Sequence, residues 1–531
     1  MARRRKFWGW GFEDQQPAHE EVKAAAAGAR EHLGFGPEEV ERPARLEDIE
    51  LRPPRLEAPE SLAAICRNDP YERAAHAYGK SYRDVVRAFR GHFENPPDVV
   101  AHPGGEAELE RVLAWCEEAG AVAIPFGGGT SVVGGVEPPA DRPTVSIDIK
   151  AMNRVLEVDS TSRAALIQAG ATGPHLEEQL REHGLTLRHF PQSFEYSTLG
   201  GWIATRAGGH FATLHTHIDD FVESVRACTP RGWWESRRLP ASGAGPSPDR
   251  MLIGSEGILG VITEAWVRVQ DAPRFRESAA VLFDSFETGA QAVRALSQSG
   301  LHPSNCRLLD PGEAALSGAA PDGGCVLVLG VESAHHPVES RLTELLDVVR
   351  DSGGTPRPSA GGRDEAADAW RSAFLRMPYV RDGLARMSAI VETFETACTW
   401  DRAEELYATV RAEVSAAVEE VTGASGLVNC RLTHVYPDGP APYFTVVAAG
   451  RPGSEVAMWD DVKTAASEVL GRLGATITHH HAVGRDHRPG YDRQRPEPFA
   501  VALRAAKAAL DPTGMLNPGV LIDPTRGAER D

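Results

Sequence analysis

The stretch Pro125 to Gly135, PFGGGTSVVGG, constrains this chain more than any other segment. It follows a short apolar run, Ala121 to Ile124, that reads as a buried strand. Five glycines and two hydroxyls then fall within eleven residues, a composition that helix and sheet interiors do not tolerate. Glycine allows positive φ and leaves no Cβ between amide N–H groups and a ligand. Successive amides turned into one concavity form an anion nest, to which Thr130 and Ser131 add hydroxyl donors. A pyrophosphate is the natural guest. The spacing fits neither GxGxxG nor GxxxxGK[ST], and a plain loop is the alternative.

A chain of 531 residues has room for two or three domains with full-sized cores. Its formal net charge of −19 argues against a nucleic-acid partner, because phosphate contacts need clustered Lys and Arg. Seven cysteines, at 66, 116, 228, 306, 325, 398 and 430, are spread without a CxxC pair. Neither a disulfide frame nor a zinc site is suggested, and a reducing cytoplasm is the expected compartment. No apolar stretch approaches the roughly 20 residues needed to span a bilayer. The basic cluster Arg3 to Lys6 is followed by FWGWG, Phe7 to Gly11. These residues could rest on an anionic membrane surface, but burial of Trp8 and Trp10 against the protein is the favoured reading.

Texture divides the chain into four segments. Residues 1–95 read as helical and polar, with helical spacing over Tyr71 to Phe93. Residues 96–272 open like a βαβ unit and continue with the short strands TVSIDI, RVLEVD and AALIQAG. Two more glycine-rich patches follow, PQSFEYSTLGGWIATRAGG (191–209) and GSEGILGVITEAWVRV (254–269). Residues 273–475 alternate strands and helices, as expected for a sheet with helices on one face. Their loop Gly353 to Asp368 reads as mobile. Residues 476–531 return toward the glycine patches.

Three consecutive histidines, His479, His480 and His481, stand in THHHAVG. On a strand, His479 and His481 would face one side and His480 the other. Imidazoles suit proton transfer near neutral pH. A metal site drawing on Asp486 and His487 is a second reading, and a structural run the third. HFATLHTHIDD, His210 to Asp220, offers His215, His217, Asp219 and Asp220 to a metal, but a loop over the site is preferred. No metal is expected.

Three glycine patches in this order resemble the flavin-binding domain of the vanillyl-alcohol oxidase superfamily. The tail LDPTGMLNPGVL (510–521) is similar to that shared by many members. WGWG (8–11), GGWIATRAGG, ETFETACTWDR and THHHAVG narrow the resemblance to the alkylglycerone-phosphate synthase (alkyl-dihydroxyacetonephosphate synthase) family, over almost the whole chain. The resemblance implies an α+β fold: an FAD-binding domain of the vanillyl-alcohol oxidase type, and an α/β cap domain with an antiparallel sheet covered by helices. Phe126, Gly127, Gly128, Gly129, Thr130, Ser131 and Val132 would wrap the FAD pyrophosphate. Gln192, Ser193, Phe194, Glu195, Tyr196, Ser197 and Thr198, with Ala204, Thr205, Arg206 and Ala207, would pass close to the flavin. Ser255, Glu256, Gly257, Ile258, Leu259, Gly260 and Val261 would hold the adenosine half. Some relatives link their flavin to a histidine in the first glycine loop. Thr130 stands there, which implies non-covalent FAD.

The same resemblance makes Tyr443, in APYFTVVA, the acid/base residue, which requires neighbours that lower its pKa. It assigns the three histidines to proton transfer. Arg381 would hold substrate oxygens, and Arg307 and Arg431 would lie near the substrate. Arg431 and His434 sit one strand before Tyr443. Ala482 departs from the glycine common in the family after the third histidine. The implied reaction is a redox-neutral exchange of the acyl group of acyl-dihydroxyacetone phosphate for a long-chain alcohol. An FAD-dependent dehydrogenase or oxidase of a 2-hydroxy acid or other alcohol is the alternative. Lipid substrates are implied, while a peripheral membrane contact and a homodimer stay open.

Overall fold

The computed structural model describes residues 3–36, 39–211, 213–320, 323–358 and 365–523. A four-stranded sheet carries the glycine loop. Its order is Cys66–Arg67, Val99–Ala101, Thr144–Asp148, Val122–Phe126, the last three parallel, with helix Glu106–Glu118 as the crossover. The βαβ opening read from the sequence is present. Pro125 is tolerated because Val122–Phe126 lies at the end of that sheet. The C-terminal tail closes the open edge. Ala123 N–H donates to the Met515 carbonyl at 2.9 Å and Asn517 N–H to the Ala123 carbonyl at 3.0 Å.

A second, antiparallel sheet of five strands has the order Val155–Asp159, Ala164–Gln168, Val261–Arg268, Val222–Thr229, Gly232–Glu235. The third has seven antiparallel strands, in the order Thr355–Pro356, Phe275–Phe283, Cys325–Ser333, Asn305–Leu309, Leu427–Val435, Pro440–Ala449, Ala389–Glu395. Strand alternation sorts its side chains. Cys430, Leu432, Phe444, Val446 and Phe394 enter a core shared with helices Phe286–Gln298, Ala403–Thr422 and Glu455–Arg472. Arg431, Thr433, Tyr443 and Thr445 face a cavity on the other side. Part of the loop expected to be mobile, residues 359–364, lies outside the described residues. No helix among the described residues is long and apolar enough to cross a membrane.

Two expectations for the N-terminal region change. Its one long helix is His19–Leu33, and much of residues 39–69 runs as turns and extended backbone. Tyr71 to Phe93 is two helices, Pro70–Ala75 and Tyr82–Phe89. Helical spacing loses there to a backbone demand. A Cβ on Gly79 would overlap the Ser131 carbonyl, and Lys80 N–H donates to that same oxygen at 2.5 Å. Ser81 then restarts the chain by capping, accepting from Asp84 N–H at 3.1 Å. Trp8 and Trp10 are buried, as favoured.

Asp98, fully buried before the strand Val99–Ala101, accepts from Arg52, Arg55 and the Thr144 N–H. Burial pushes its carboxyl up, but the arginine and amide bonds outweigh this and hold it down at about 2. Removing the carboxylate strands two arginines. The outer edges of both stay wet, so Asp98→Ala is expected to cost about 2–4 kcal/mol, read from the shift in a urea-unfolding curve.

Candidate active site

The glycine loop begins where Val122–Phe126 ends. A Cβ on Gly128 would overlap the Tyr196 carbonyl, and Gly129 has φ +63° with its Cβ position against the Phe126 ring. None of the six amides from Gly127 to Val132 donates to another protein group among the described residues. Unpaired donors around a cavity are costly unless a ligand accepts from them. Ser131 Oγ accepts from Gly135 N–H at 3.0 Å, which folds the loop back on itself. The nest fits the diphosphate of FAD.

One cavity runs from this loop to the cap sheet and gathers most of the expected residues. Phe126 to Val132 all line it. Of the second patch, Gln192, Ser193, Ser197, Thr198, Ala204, Thr205 and Ala207 line it. Phe194, Glu195 and Tyr196 face elsewhere, and Arg206 reaches outward to pair with Asp219. Glu256, Gly257, Gly260 and Val261 line the cavity, while Ser255, Ile258 and Leu259 are buried outside its lining. Tyr443, Arg381, His480, His481 and Arg431 line it too, whereas His479 and Arg307 stand behind the wall.

The three histidines do not form a strand. They lie in a bend, so the two-sided arrangement expected for a strand does not apply. The cause is Glu395, a buried carboxylate at the end of strand Ala389–Glu395. Its oxygens accept the His479, His480 and His481 N–H groups at 2.5, 3.0 and 2.5 Å, and the Thr478 hydroxyl at 2.9 Å. Past Ala482, the amides of Val483 and Gly484 go to Glu256 at 2.9 and 2.8 Å. Burial raises the Glu256 carboxyl to about 7. Between the two carboxylates the chain turns through Ala482 at φ +74°, a conformation that costs alanine about 1 kcal/mol. Glycine would adopt this conformation without that cost.

Hydrogen bonding fixes the tautomers. The Arg206 carbonyl, 3.0 Å from His217 Nδ1, can only accept, so this nitrogen carries a proton. His217 Nε2 is then an acceptor, and His479 Nε2–H lies between it at 3.2 Å and the Tyr436 hydroxyl oxygen at 2.9 Å, donating to both. His479 Nδ1 is therefore bare and accepts from His480 Nδ1 at 3.0 Å. His480 is left with a lone pair on Nε2. His434 donates from Nε2 to the Gly209 carbonyl at 2.7 Å, and its bare Nδ1 has no partner among the described residues. Burial drives His434, His479 and His480 well below the usual imidazole range, and neighbouring positive groups add to this. His481 moves the same way for the same reason, against the pull of Glu395. The imidazoles are neutral at physiological pH and able to accept protons.

Tyr443 corrects one expectation. Its strand sets Arg431 opposite it on one side and Glu395 on the other. The Arg431 guanidinium lies 3.7 Å from the ring centroid and favours the phenolate. Burial outweighs this, so the Tyr443 hydroxyl is raised rather than lowered and stays protonated. Arg431 also forms a buried ion pair with Glu313 at 2.9 Å. Arg307, fully buried, holds the His210 carbonyl at 2.8 Å instead of lining the cavity. Arg381 donates to the Lys80 carbonyl at 2.5 Å and to Asp382 at 3.2 Å.

Candidate metal ligands are partly engaged by other groups. His434, His479 and His480 bring ligand atoms within 4.8 Å of one another, as do Glu395, His480 and His481; hydrogen bonds occupy some of these atoms, and His434 Nδ1 and His480 Nε2 are left without a protein partner among the described residues. Asp219 pairs with Arg206 and Arg250, Asp486 with Arg83, and His487 Nδ1 with the Ala482 carbonyl. The segment His210 to Asp220, apart from position 212, is a loop that delivers His217 to His479 behind the cavity wall, and none of its described residues lines the cavity. Part of the wall is apolar, with Leu316, Phe374, Met377, Leu384 and Val447. Nothing in the sequence singled out Glu395, Tyr436 or Asn517. The usable signal was an acidic residue ending an apolar strand in ETFETACTWDR.

Comparison with known proteins agrees with this geometry. Residues 97–236 match the family described as an FAD binding domain, and residues 272–521 match the C-terminal domain of FAD linked oxidases. The alkyldihydroxyacetonephosphate synthase of Dictyostelium discoideum is 31% identical over 513 residues, covering 90% of this chain and 83% of the relative. That of Trypanosoma brucei brucei is 31% identical over 494 residues, covering 88% and 79%. A solved alkyldihydroxyacetonephosphate synthase structure superposes with a TM-score of 0.82 at 28% identity, covering 97% of this chain and 98% of that one.

Glu395→Gln preserves size but sets an NH2 group against amide donors. The expected outcome is a loss of about 1–3 kcal/mol in unfolding free energy, with shifted or broadened ring resonances for His479 to His481. An unchanged unfolding curve with unchanged resonances would show that the bend stands without this carboxylate.

Proposed function

The chain belongs to the alkyldihydroxyacetonephosphate synthase family of FAD-dependent enzymes, and from that premise we propose that it exchanges the acyl group of acyl-dihydroxyacetone phosphate for a long-chain alcohol. The observation that carries this reading is the continuity of one cavity. It joins the amide nest, the neutral histidines with Tyr443, and an apolar wall suited to an alkyl chain. In the exchange, the bond between the substrate carbon and the ester oxygen breaks, and the fatty acid leaves with that oxygen. The alcohol oxygen takes its place and gives up its proton.

Residues Gly127 to Val132 would hold the FAD diphosphate, and bound FAD supplies an electron-accepting ring system beside the proton-transfer groups. Thr130, where some relatives carry a linking histidine, favours non-covalent binding. His480, with its free lone pair, takes a proton from the substrate side. Tyr443, held protonated by burial, is the donor. Arg381, in the cavity wall, steadies the departing carboxylate. We place the working units at residues 1–95, 96–272, 273–475 and 476–531, the last bringing the histidines back to the flavin side.

Incubating the yellow protein anaerobically with acyl-dihydroxyacetone phosphate and labelled long-chain alcohol should give labelled ether and free fatty acid without net flavin reduction, measured by mass spectrometry and absorbance. Tyr443→Phe is expected to keep FAD and lose about 10²–10⁴-fold of the exchange rate. No ether, together with flavin bleaching by a 2-hydroxy acid, would replace the exchange with a dehydrogenase or oxidase.

Acid precipitation should release all the yellow colour into the supernatant. Colour remaining on the pellet would show a covalent link.

A further inference from the structure

The opening FWGWG takes no part in the chemistry above, yet it is folded against the cofactor loop. Residues 4–13 form a hairpin: Arg5 and Phe12 pair antiparallel, Lys6 N–H reaches the Gly11 carbonyl at 3.1 Å, and Glu13 N–H the Arg4 carbonyl at 2.9 Å. One side is seated against helix Tyr82–Phe89 of the N-terminal segment and against the cap. Phe7 and Trp8 pack on Phe93 and Phe89, each pair with ring centroids 6.1 Å apart, and Trp10 N–H donates to Asp382 at 2.7 Å. The glycines make this seat. A Cβ on Gly9 would overlap the Asp382 carboxylate, and Gly11, at φ +90°, brings its Cβ position within 2.9 Å of the Tyr379 ring.

The other side lies on the FAD loops. Arg5 donates to the Gly128 carbonyl at 2.8 Å, from outside the amide nest, and its guanidinium sits 4.2 Å from the Tyr196 ring centroid. Trp10 and Phe12 both pack on Tyr196 at 5.7 Å, and Trp10 forms part of the cavity wall. No carboxylate lies within ion-pair distance of Arg5 among the described residues. A half-buried guanidinium without a counter-charge, bonded to the loop that would cradle a diphosphate, is electrostatically incomplete. A bound diphosphate supplies the missing negative charge.

We propose that the N-terminal hairpin is a clasp that closes the FAD site, with Arg5 as the positioning residue that fixes the Gly128 peptide and balances the diphosphate. The clasp also ties the nest to helix Glu365–Ala385, which carries Arg381 and ends in the cap. Coupling of this kind is reciprocal. A clasp that tightens FAD binding is itself held closed by FAD to the same factor. The inference rests on FAD as the cofactor and not on the exchange reaction, so its test reads cofactor binding alone.

Arg5→Met removes the charge and the bond to Gly128. Gly9→Val unseats the hairpin, and Trp10 with it, while leaving the glycine loop and the rest of the cavity wall in sequence unchanged. Titration of deflavinated protein with FAD, followed by quenching of flavin fluorescence, should show a dissociation constant raised about tenfold or more in each variant, with faster FAD release. Wild-type protein gives an independent measure, because Arg4, Arg5 and Lys6 are trypsin sites in the hairpin. FAD should slow cleavage there relative to the deflavinated protein. Unchanged FAD affinity in both variants overturns the clasp, even if their unfolding midpoints fall. Cleavage at the same rate with and without FAD overturns it as well.

Discussion

Two buried carboxylates suspend the segment on which the site depends. Glu395 from the cap sheet and Glu256 from the third glycine patch catch five amides between His479 and Gly484. A carboxylate buried without partners would be prohibitively costly, so each one compels the chain to bring N–H groups to it. Because one ends a strand of the cap sheet and the other sits in the turn before strand Val261–Arg268, the bend between them has little freedom. Side chains projecting from it land on the open face of the cap sheet, where strand pairing has already set Tyr443 between Arg431 and Glu395. The site is built on register, and its precision comes from backbone hydrogen bonds rather than from the histidine rings.

Segments near both ends of the described residues converge on the glycine loop. From the C-terminal side, Met515 and Asn517 pair with Ala123 on the strand that feeds the loop, and the Asn517 side chain reaches the carbonyls of Gly135 and Glu256. Lys507, bonded to Asp511 and to the Ile258 and Leu516 carbonyls, locks that tail in place. From the N-terminal side, Arg5 holds the Gly128 carbonyl, and Lys80 holds Ser131. A loop rich in glycine loses more backbone entropy than any other on becoming ordered. Each of its outward-facing carbonyls that is tied down from outside lowers that cost before a ligand arrives. The amides are left free to face the cavity.

The glycine loop, the βαβ unit around it and the alternation of Tyr443 with its strand neighbours were legible in the sequence, because composition and a two-residue period report them directly. The helix break at Gly79 was not. Tyr71 to Phe93 has sound helical spacing, and only the approach of Ser131, some fifty residues later in the chain, overrides it. Glu395 was hidden for a similar reason. A strand-terminal acid looks solvent-exposed until the histidine segment is folded onto it. Three histidines in a row suggested strand geometry, and no local signal announces that distant carboxylates will claim their amides. Tyr443 shows the same limit in its electrostatics. Its cationic neighbour was foreseeable, but the depth of burial that outweighs Arg431 is a property of the closed cavity.

That burial also shapes the proposed chemistry. It lowers the imidazoles and raises the Tyr443 hydroxyl, so both shifts oppose charge separation in the resting site. A proton passing from Tyr443 to His480 at rest would create two buried charges, and the cavity penalises both. The groups are therefore held neutral until a substrate brings charge of its own. A departing carboxylate beside Arg381 makes the tyrosine a useful donor, and an alcohol losing its proton makes the imidazole a useful acceptor. Charge then develops on the reactants while the protein dipoles are already in place. An exchange without net oxidation suits such a site, because protons taken up at one end of the cavity are returned at the other and the cluster ends each turnover neutral.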